Sequence, residues 1–246
     1  MPACDIATEP ARTRLIAACD LGERLIVLVM YLGLVARLIS PWWSGPLESR
    51  VSFDTADLTQ AQTGGSLRSS LPRSEKVQLA NLLLIPSEGL VVIFLLFRRS
   101  TGQISLRWQD WLLALLATLS PMLVQPGVGV ALLPPALGAT LLVMGTIVQV
   151  HAKLTLGRSF GCVPAHRGLQ LAGPYRFVRH PMYAGYLLGH VAFLLMNPTL
   201  WNMGAYAVCY ALQIPRLLAE ERLLANDGEY RSYQTSVKYR MIPGIF

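Results

Sequence analysis

The sequence predicts an all-α fold: a polytopic membrane bundle of about six membrane-inserted helices, ending in a helical hairpin and carrying its chemistry on cytoplasmic segments. Three observations predict it. The 246 residues are 53% hydrophobic and only 14% charged, where soluble domains carry about 25% charged residues. The apolar residues come in long blocks instead of the short periodic runs of a soluble core. The basic residues behind the net charge of +7 flank those blocks, as the positive-inside rule requires, and form no stripe that would suit a nucleic acid.

The first block runs from Leu25 to Trp43. It contains Arg37, which can snorkel to an interface, and closes on the aromatic belt Pro41-Trp42-Trp43. Asp5, Glu9 and Asp20 precede it, with no small-residue cleavage site after a short apolar core, so no cleaved leader is expected. Residues 44–76 are polar and contain Gly64-Gly65, a loop signal. The second block, Val77 to Phe97, holds Pro86 and Glu88 near its middle and is closed by Arg98-Arg99. A third runs from about Trp108 to Val124, with Asp110 and Trp111 at its interfacial end. A fourth runs from Val128 to Val150 and contains Pro134-Pro135, which predicts a kink.

Residues 151–181 are polar, basic and rich in Gly and Pro. The uncharged run 182–214 follows. It is too long for one span and short for two, and Asn197-Pro198 at its centre signals a turn. It therefore predicts a hairpin with arms of about 15 residues, each about 22 Å long, the second continuing as a helix to about Ala225. Connections 125–127 and 197–199 carry no basic residue, whereas the termini and 151–181 are basic. This places both termini and 151–181 on the cytoplasmic side of a multi-pass integral membrane protein. The chain divides into residues 1–127, N-terminal membrane helices, and 128–246, a core made of segment 151–183, hairpin 182–214 and C-terminal segment 215–246.

Cys4, Cys19, Cys162 and Cys209 are scattered, so neither a zinc site nor a disulfide framework is expected. His190 and Asn202 in the hairpin predict interhelical hydrogen bonds. Glu88 is costly in an apolar span. A substrate or gating role, a buried structural pair and a span boundary that falls elsewhere would each account for it.

The chemistry-bearing residues fall in two clusters, 151–183 and 216–244. The hairpin starts at one and ends at the other, so the two must be neighbours in space. Arg216 and Glu220 are i,i+4 on a helix, which suits either a surface ion pair or a carboxylate aimed at a cationic ligand. His180 before Pro181 suits a helix start. In order, the chain reads Leu156-Gly-Arg-Ser-Phe160, Gly173-Pro-Tyr-Arg-Phe-Val-Arg-His-Pro-Met-Tyr183, the uncharged hairpin, Arg216 with Glu220-Glu221, Gly228-Glu-Tyr-Arg-Ser-Tyr233 and Ile242-Pro-Gly244. This order resembles the isoprenylcysteine carboxyl methyltransferase family, within the wider group of integral membrane methyltransferases that includes phospholipid methyltransferases. The resemblance covers roughly residues 140–246.

The resemblance implies methyl transfer from S-adenosylmethionine to a lipophilic acceptor taken from the bilayer, with membrane lipids as neighbours and no nucleic acid. Carried over, it places Gly173, Tyr175, His180, Pro181, Tyr183, Glu220 and Glu221 around the cofactor. It needs no Gly-x-Gly-x-x-Gly fingerprint, and none is present. A carboxylate acceptor, such as that of a prenylated cysteine, requires no general base but needs a cation, for which Arg176, Arg179, Arg216 and Arg240 are the candidates. A phospholipid amine or a small thiol acceptor would need a base, with His180 or a glutamate the candidates. A rival from another class is a membrane reductase that uses a nicotinamide nucleotide on a sterol-like substrate; the Arg216/Glu220/Glu221 cluster and Leu156–Phe160 separate the two.

Overall fold

The computed structural model describes residues 9–43, 73–125 and 129–246. The polar loop expected over 44–76 lies outside the described residues as far as 72; from Arg73 the chain is helical. Among the described residues seven α-helices follow one another: α1 (Glu9–Trp43), α2 (Arg73–Phe97), α3 (Trp108–Leu119), α4 (Pro135–Leu156), α5 (Pro181–Met196), α6 (Leu200–Leu224) and α7 (Gly228–Ser236). Among the described residues no strand forms, and one isolated antiparallel bridge joins Ile104 to Ala165.

α1 begins well before the apolar block, so the charged residues Asp20, Glu23 and Arg24 lie on the same helix as the block. Pro134 and Pro135 do not kink a helix as expected. They start one, with Pro135 in the first turn of α4, where a missing N–H costs nothing. Pro86 lies inside α2 and does not break it. Trp108–Val124 is an α-helix only to Leu119 and ends in a 3₁₀ turn, Ser120–Leu123, that contains Pro121.

Among the described residues one helical stretch, Pro135–Ser159, is long and apolar enough to cross a membrane by length and composition. The apolar helices Ile85–Phe97 and Pro181–Met196 are shorter.

The hairpin forms where the sequence predicts it. Its arms pack less on each other than on their neighbours: α5 on α4, and α6 on α3. The α4–α5 seam is a backbone contact. A Cβ on Gly145 would lie 2.8 Å from the Gly189 nitrogen, and one on Gly185 would lie 2.8 Å from the Gly145 oxygen, so only glycine fits at either place. Between the hairpin arms the contacts are rings: His190 stacks on Tyr206 at 4.6 Å, and its Nδ1 is 3.0 Å from the Tyr210 hydroxyl. At the turn, Asn202 accepts from the Gln125 N–H (2.8 Å) and donates to the Gln125 and Asn197 carbonyls.

α1 packs on α2 and α2 on α4. The core that results contains Val27, Tyr31, Val91, Leu95, Phe160, Tyr175, Tyr183 and Leu217. Glu88 of α2 sits in that layer and pairs with the fully buried Lys153 of α4 at 3.1 Å; Lys153 also donates to the Ser87 hydroxyl at 2.7 Å.

Candidate cofactor cleft

Beyond α4 the chain forms a strap, residues 157–172, before a 3₁₀ turn, Gly173–Arg176, leads to α5. Gly173 opens that turn at φ +56°, where a side chain would be strained and would crowd the Thr155 hydroxyl. His180 is the N-cap residue of α5 and Pro181 its first residue. The segment before α5 is zipped to the chain beyond α7. The Arg179 N–H donates to the Tyr239 carbonyl (3.0 Å) and the His180 N–H to the Arg240 carbonyl (2.7 Å). The Arg179 guanidinium adds bonds to the carbonyls of Val237 and Lys238. The two clusters that the hairpin was expected to join are thus in direct contact.

Glu221 is the centre of that contact. Its Oε1 is 2.7 Å from Arg179 Nε and 3.2 Å from His180 Nε2, and its Oε2 is 2.8 Å from Arg240 Nε. Burial alone would raise the carboxyl's pKa. The hydrogen bonds from His180, Arg179 and Arg240 outweigh it and hold the group at about 2.

The neighbouring Glu220 is different. It is half-buried, faces a cleft and has no hydrogen bond or ion pair among the described residues. The i,i+4 pair with Arg216 does not form. Arg216 is buried, donates to the Cys162 carbonyl (3.1 Å) and lies 5.8 Å from the Tyr183 ring centre.

The cleft lies between the strap and the α6–α7 corner. Val163, Arg167 and Leu169 line one side; Tyr175, His180, Tyr183, Glu220, Tyr230 and Tyr233 line the other. Its void is about 800 Å³ with the open mouth included, but it is narrow, with room for water in only about 80 Å³ of that. Asp227 caps α7 by accepting from the Glu229 N–H (2.8 Å), which fixes Tyr230 and Tyr233 in place. The Tyr233 hydroxyl donates to the Tyr175 carbonyl (2.6 Å). The Tyr230 hydroxyl is buried and has no hydrogen-bond partner among the described residues, and the same holds for Nε of Arg167. Burial pushes the Tyr233 phenol up to about 12 and that of Tyr230 further, so both are neutral donors at physiological pH.

Of the residues singled out in the sequence, Tyr175, His180, Tyr183, Glu220 and Arg179 line the cleft. Gly173 and Pro181 shape the backbone beneath it, and Glu221 braces it from behind. Arg179 and Arg240 are committed to Glu221, Arg216 is buried in the core, and Arg176 is exposed outside the lining. Glu88 lies away from the cleft in its pair with Lys153. Sequence reasoning missed Arg167. Its signal was present: one of few charges in a charge-poor chain, between two glycine-bearing turns.

Residues 133–227 match the sequence pattern of the family described as phospholipid methyltransferase. The matched segment contains the strap, the hairpin, both glutamates and Asp227; α1, α2 and the Tyr230–Arg240 portion lie outside it. The chain is also similar to protein-S-isoprenylcysteine O-methyltransferase A of Arabidopsis thaliana, 32% identical over 116 residues, 44% of this chain and 56% of the relative. It is 32% identical over 90 residues to protein-S-isoprenylcysteine O-methyltransferase B of the same plant, 34% of this chain and 43% of that one. The chain thus spans about half the length of the curated relatives it matches. A solved structure of a eukaryotic intramembrane Ras methyltransferase, isoprenylcysteine carboxyl methyltransferase, aligns over 95% of this chain and 98% of that one, at 16% identity and a TM-score of 0.41.

Proposed function

We propose that this protein is an integral membrane methyltransferase that uses S-adenosylmethionine and a lipophilic acceptor, a carboxylate of the kind borne by a prenylated cysteine. The observation that carries the reading is Glu220, an unpaired carboxylate facing a cleft in a segment that matches a methyltransferase family. The donor set suits the cofactor. Glu220 would pair with its ammonium, and the partnerless Arg167 Nε and Tyr230 hydroxyl would meet its carboxylate or ribose. When bound, S-adenosylmethionine supplies a methyl group on a sulfonium. The cleft residues align the two reactants and exclude water, and Tyr183 and the strap supply apolar walls. A carboxylate acceptor is already ionised at neutral pH and asks no base of the cleft, which suits a His180 turned toward Glu221. The names of the matched plant relatives support the same acceptor. A phospholipid amine is the second reading, favoured by the description of the matched family.

The proposed setting is a bilayer crossed or entered by α1–α6, six helices, with both termini and the cleft cytoplasmic. Its support is the exposure of Leu25, Val29, Ile93, Leu116, Ile147, Val191 and Val208 on those helices, apolar side chains that lipid would cover. Cysteine labelling at Gln170→Cys from the cytoplasmic side tests the orientation, and labelling from outside alone would reverse it.

The deciding experiment is calorimetric binding of S-adenosylmethionine in lipid nanodiscs, with His180→Ala and a nicotinamide nucleotide as controls. Binding that is lost in the variant supports the reading. Binding of the nucleotide alone moves it to the reductase. Methyl transfer to a prenylated cysteine, its methyl ester and phosphatidylethanolamine then separates the acceptors: the ester should be inert, and activity on the amine lipid alone would favour the second reading.

A further inference from the structure

A concentration of buried charge lies behind the cleft, and of its members only Arg167 reaches the lining. Asp20 and Glu23 of α1 meet Arg98, just past α2, and Arg167 of the strap. Arg98 is 2.9 Å from each carboxylate, Arg167 is 3.0 Å from Asp20, and Arg167 also bonds Glu23. Two carboxylates face two guanidiniums, so the formal charge cancels. Glu23 is 0% exposed. Its other oxygen, Oε1, accepts the backbone N–H groups of Cys162 (2.7 Å) and Val163 (3.0 Å).

Buried ion pairs contribute little net stability, because desolvation offsets most of their attraction. What such a network does fix is position. One carboxylate grips the strap at two amides and one guanidinium, and Val163 and Arg167 are the residues that this strap presents to the cleft. The fit is close: a Cβ on Gly161 would stand 2.2 Å from Arg167 Nη1. In a cleft this narrow, a small shift of the strap changes what can enter.

We infer that Glu23 is a positioning residue of the cofactor site: through Arg167 and the Cys162 and Val163 amides it sets the wall formed by the strap. This rests on the reading of the cleft as the S-adenosylmethionine site. Glu23 lies outside residues 133–227, so the matched segment's cleft is held in shape by a helix that the segment does not contain.

The test uses the full chain in nanodiscs: wild type, Glu23→Gln, Glu23→Asp and, as a control at the far end of the bundle, Asn202→Ala. Each is melted and titrated with S-adenosylmethionine well below its melting temperature. Glu23→Gln should bind at least fivefold more weakly, while Asn202→Ala loses melting temperature and keeps its affinity. Affinity unchanged in Glu23→Gln, or lowered equally in Asn202→Ala, overturns the inference. If the glutamine variant does not fold, Glu23→Asp, which keeps the charge and withdraws it by one methylene, is held to the same fivefold criterion. Amide exchange gives a reading that needs no ligand. In Glu23→Asp the amides of 160–168 should exchange at least tenfold faster and those of the α4–α5 seam should not; uniform exchange also overturns the inference. Wild type that fails to bind the ligand, yet shows the localised exchange, would sink the functional reading and leave the positioning role standing.

Discussion

The two walls of the cleft are both anchored by a buried glutamate, and they are anchored differently. Glu23 holds the strap from α1, in a cluster of two acids and two arginines. Glu221 holds the wall of α5, α6 and the C-terminal segment, with one carboxylate against Arg179, Arg240 and His180. The first cluster is neutral. The second has an excess of positive charge, and Glu220, the unpaired acid, stands beside it. The lesson is that a doubled glutamate need not be a doubled function: Glu221 braces the site, and Glu220 is left to face a ligand.

The largest effect should come from the brace. Glu221→Gln leaves the buried Arg179 guanidinium and the partly exposed one of Arg240 short of their partner, a loss of about 3 kcal/mol, visible as a large fall in melting temperature. An unchanged melt would erase the distinction between the two glutamates. The same group predicts a pH dependence. Its folded value of about 2 lies below the ordinary 4.5, so its contribution is present above 4.5 and is lost as pH falls from there toward 2. Wild type should therefore lose melting temperature across that window more steeply than Glu221→Gln does. Parallel curves would mean that Glu221 is not the group being titrated.

Next comes the free acid. Glu220→Gln should leave the melt within about 0.5 kcal/mol and weaken S-adenosylmethionine binding about 10- to 100-fold, the worth of a charged hydrogen bond. A large loss of stability with affinity intact would exchange the roles assigned to the pair. Gly161→Ala sharpens the comparison from the strap side. Its new methyl group meets a guanidinium held by two carboxylates, and overpacking of this kind costs about 1–3 kcal/mol. A neutral result in thermal melts would show that Arg167 has slack. Smallest should be Tyr230→Phe. It removes a hydroxyl with no partner among the described residues, so the melt should hold or rise while binding weakens about 2- to 10-fold. A melt that falls would reveal a partner for that hydroxyl.

Much of this was legible in the sequence. The contact between 179–180 and 237–240 follows from an uncharged hairpin whose ends carry the two clusters, and the chain order of Arg-His-Pro and the paired glutamates marked the cleft's far wall. The near wall was not legible. Asp20 and Glu23 stand three residues apart on one helical face, a pattern that surface helices share, and only the fold brings Arg98 and Arg167 to them. Lys153 gives no sign in the sequence that it will be buried against Glu88, because a lysine at the end of an apolar block reads as an interfacial anchor. Pro134-Pro135 was misplaced for a local reason: hydropathy is blind to a helix start inside an apolar run, whereas the first helical turn tolerates proline without strain.

The glycine seam between α4 and α5 has a mechanical consequence. With Gly145 and Gly185 in backbone contact, the two helices form a single strut with no side chain between them to swing aside. Any relative motion within the bundle has to be taken up at other seams, such as the ring contacts between α5 and α6, and not by rotamer changes inside the strut.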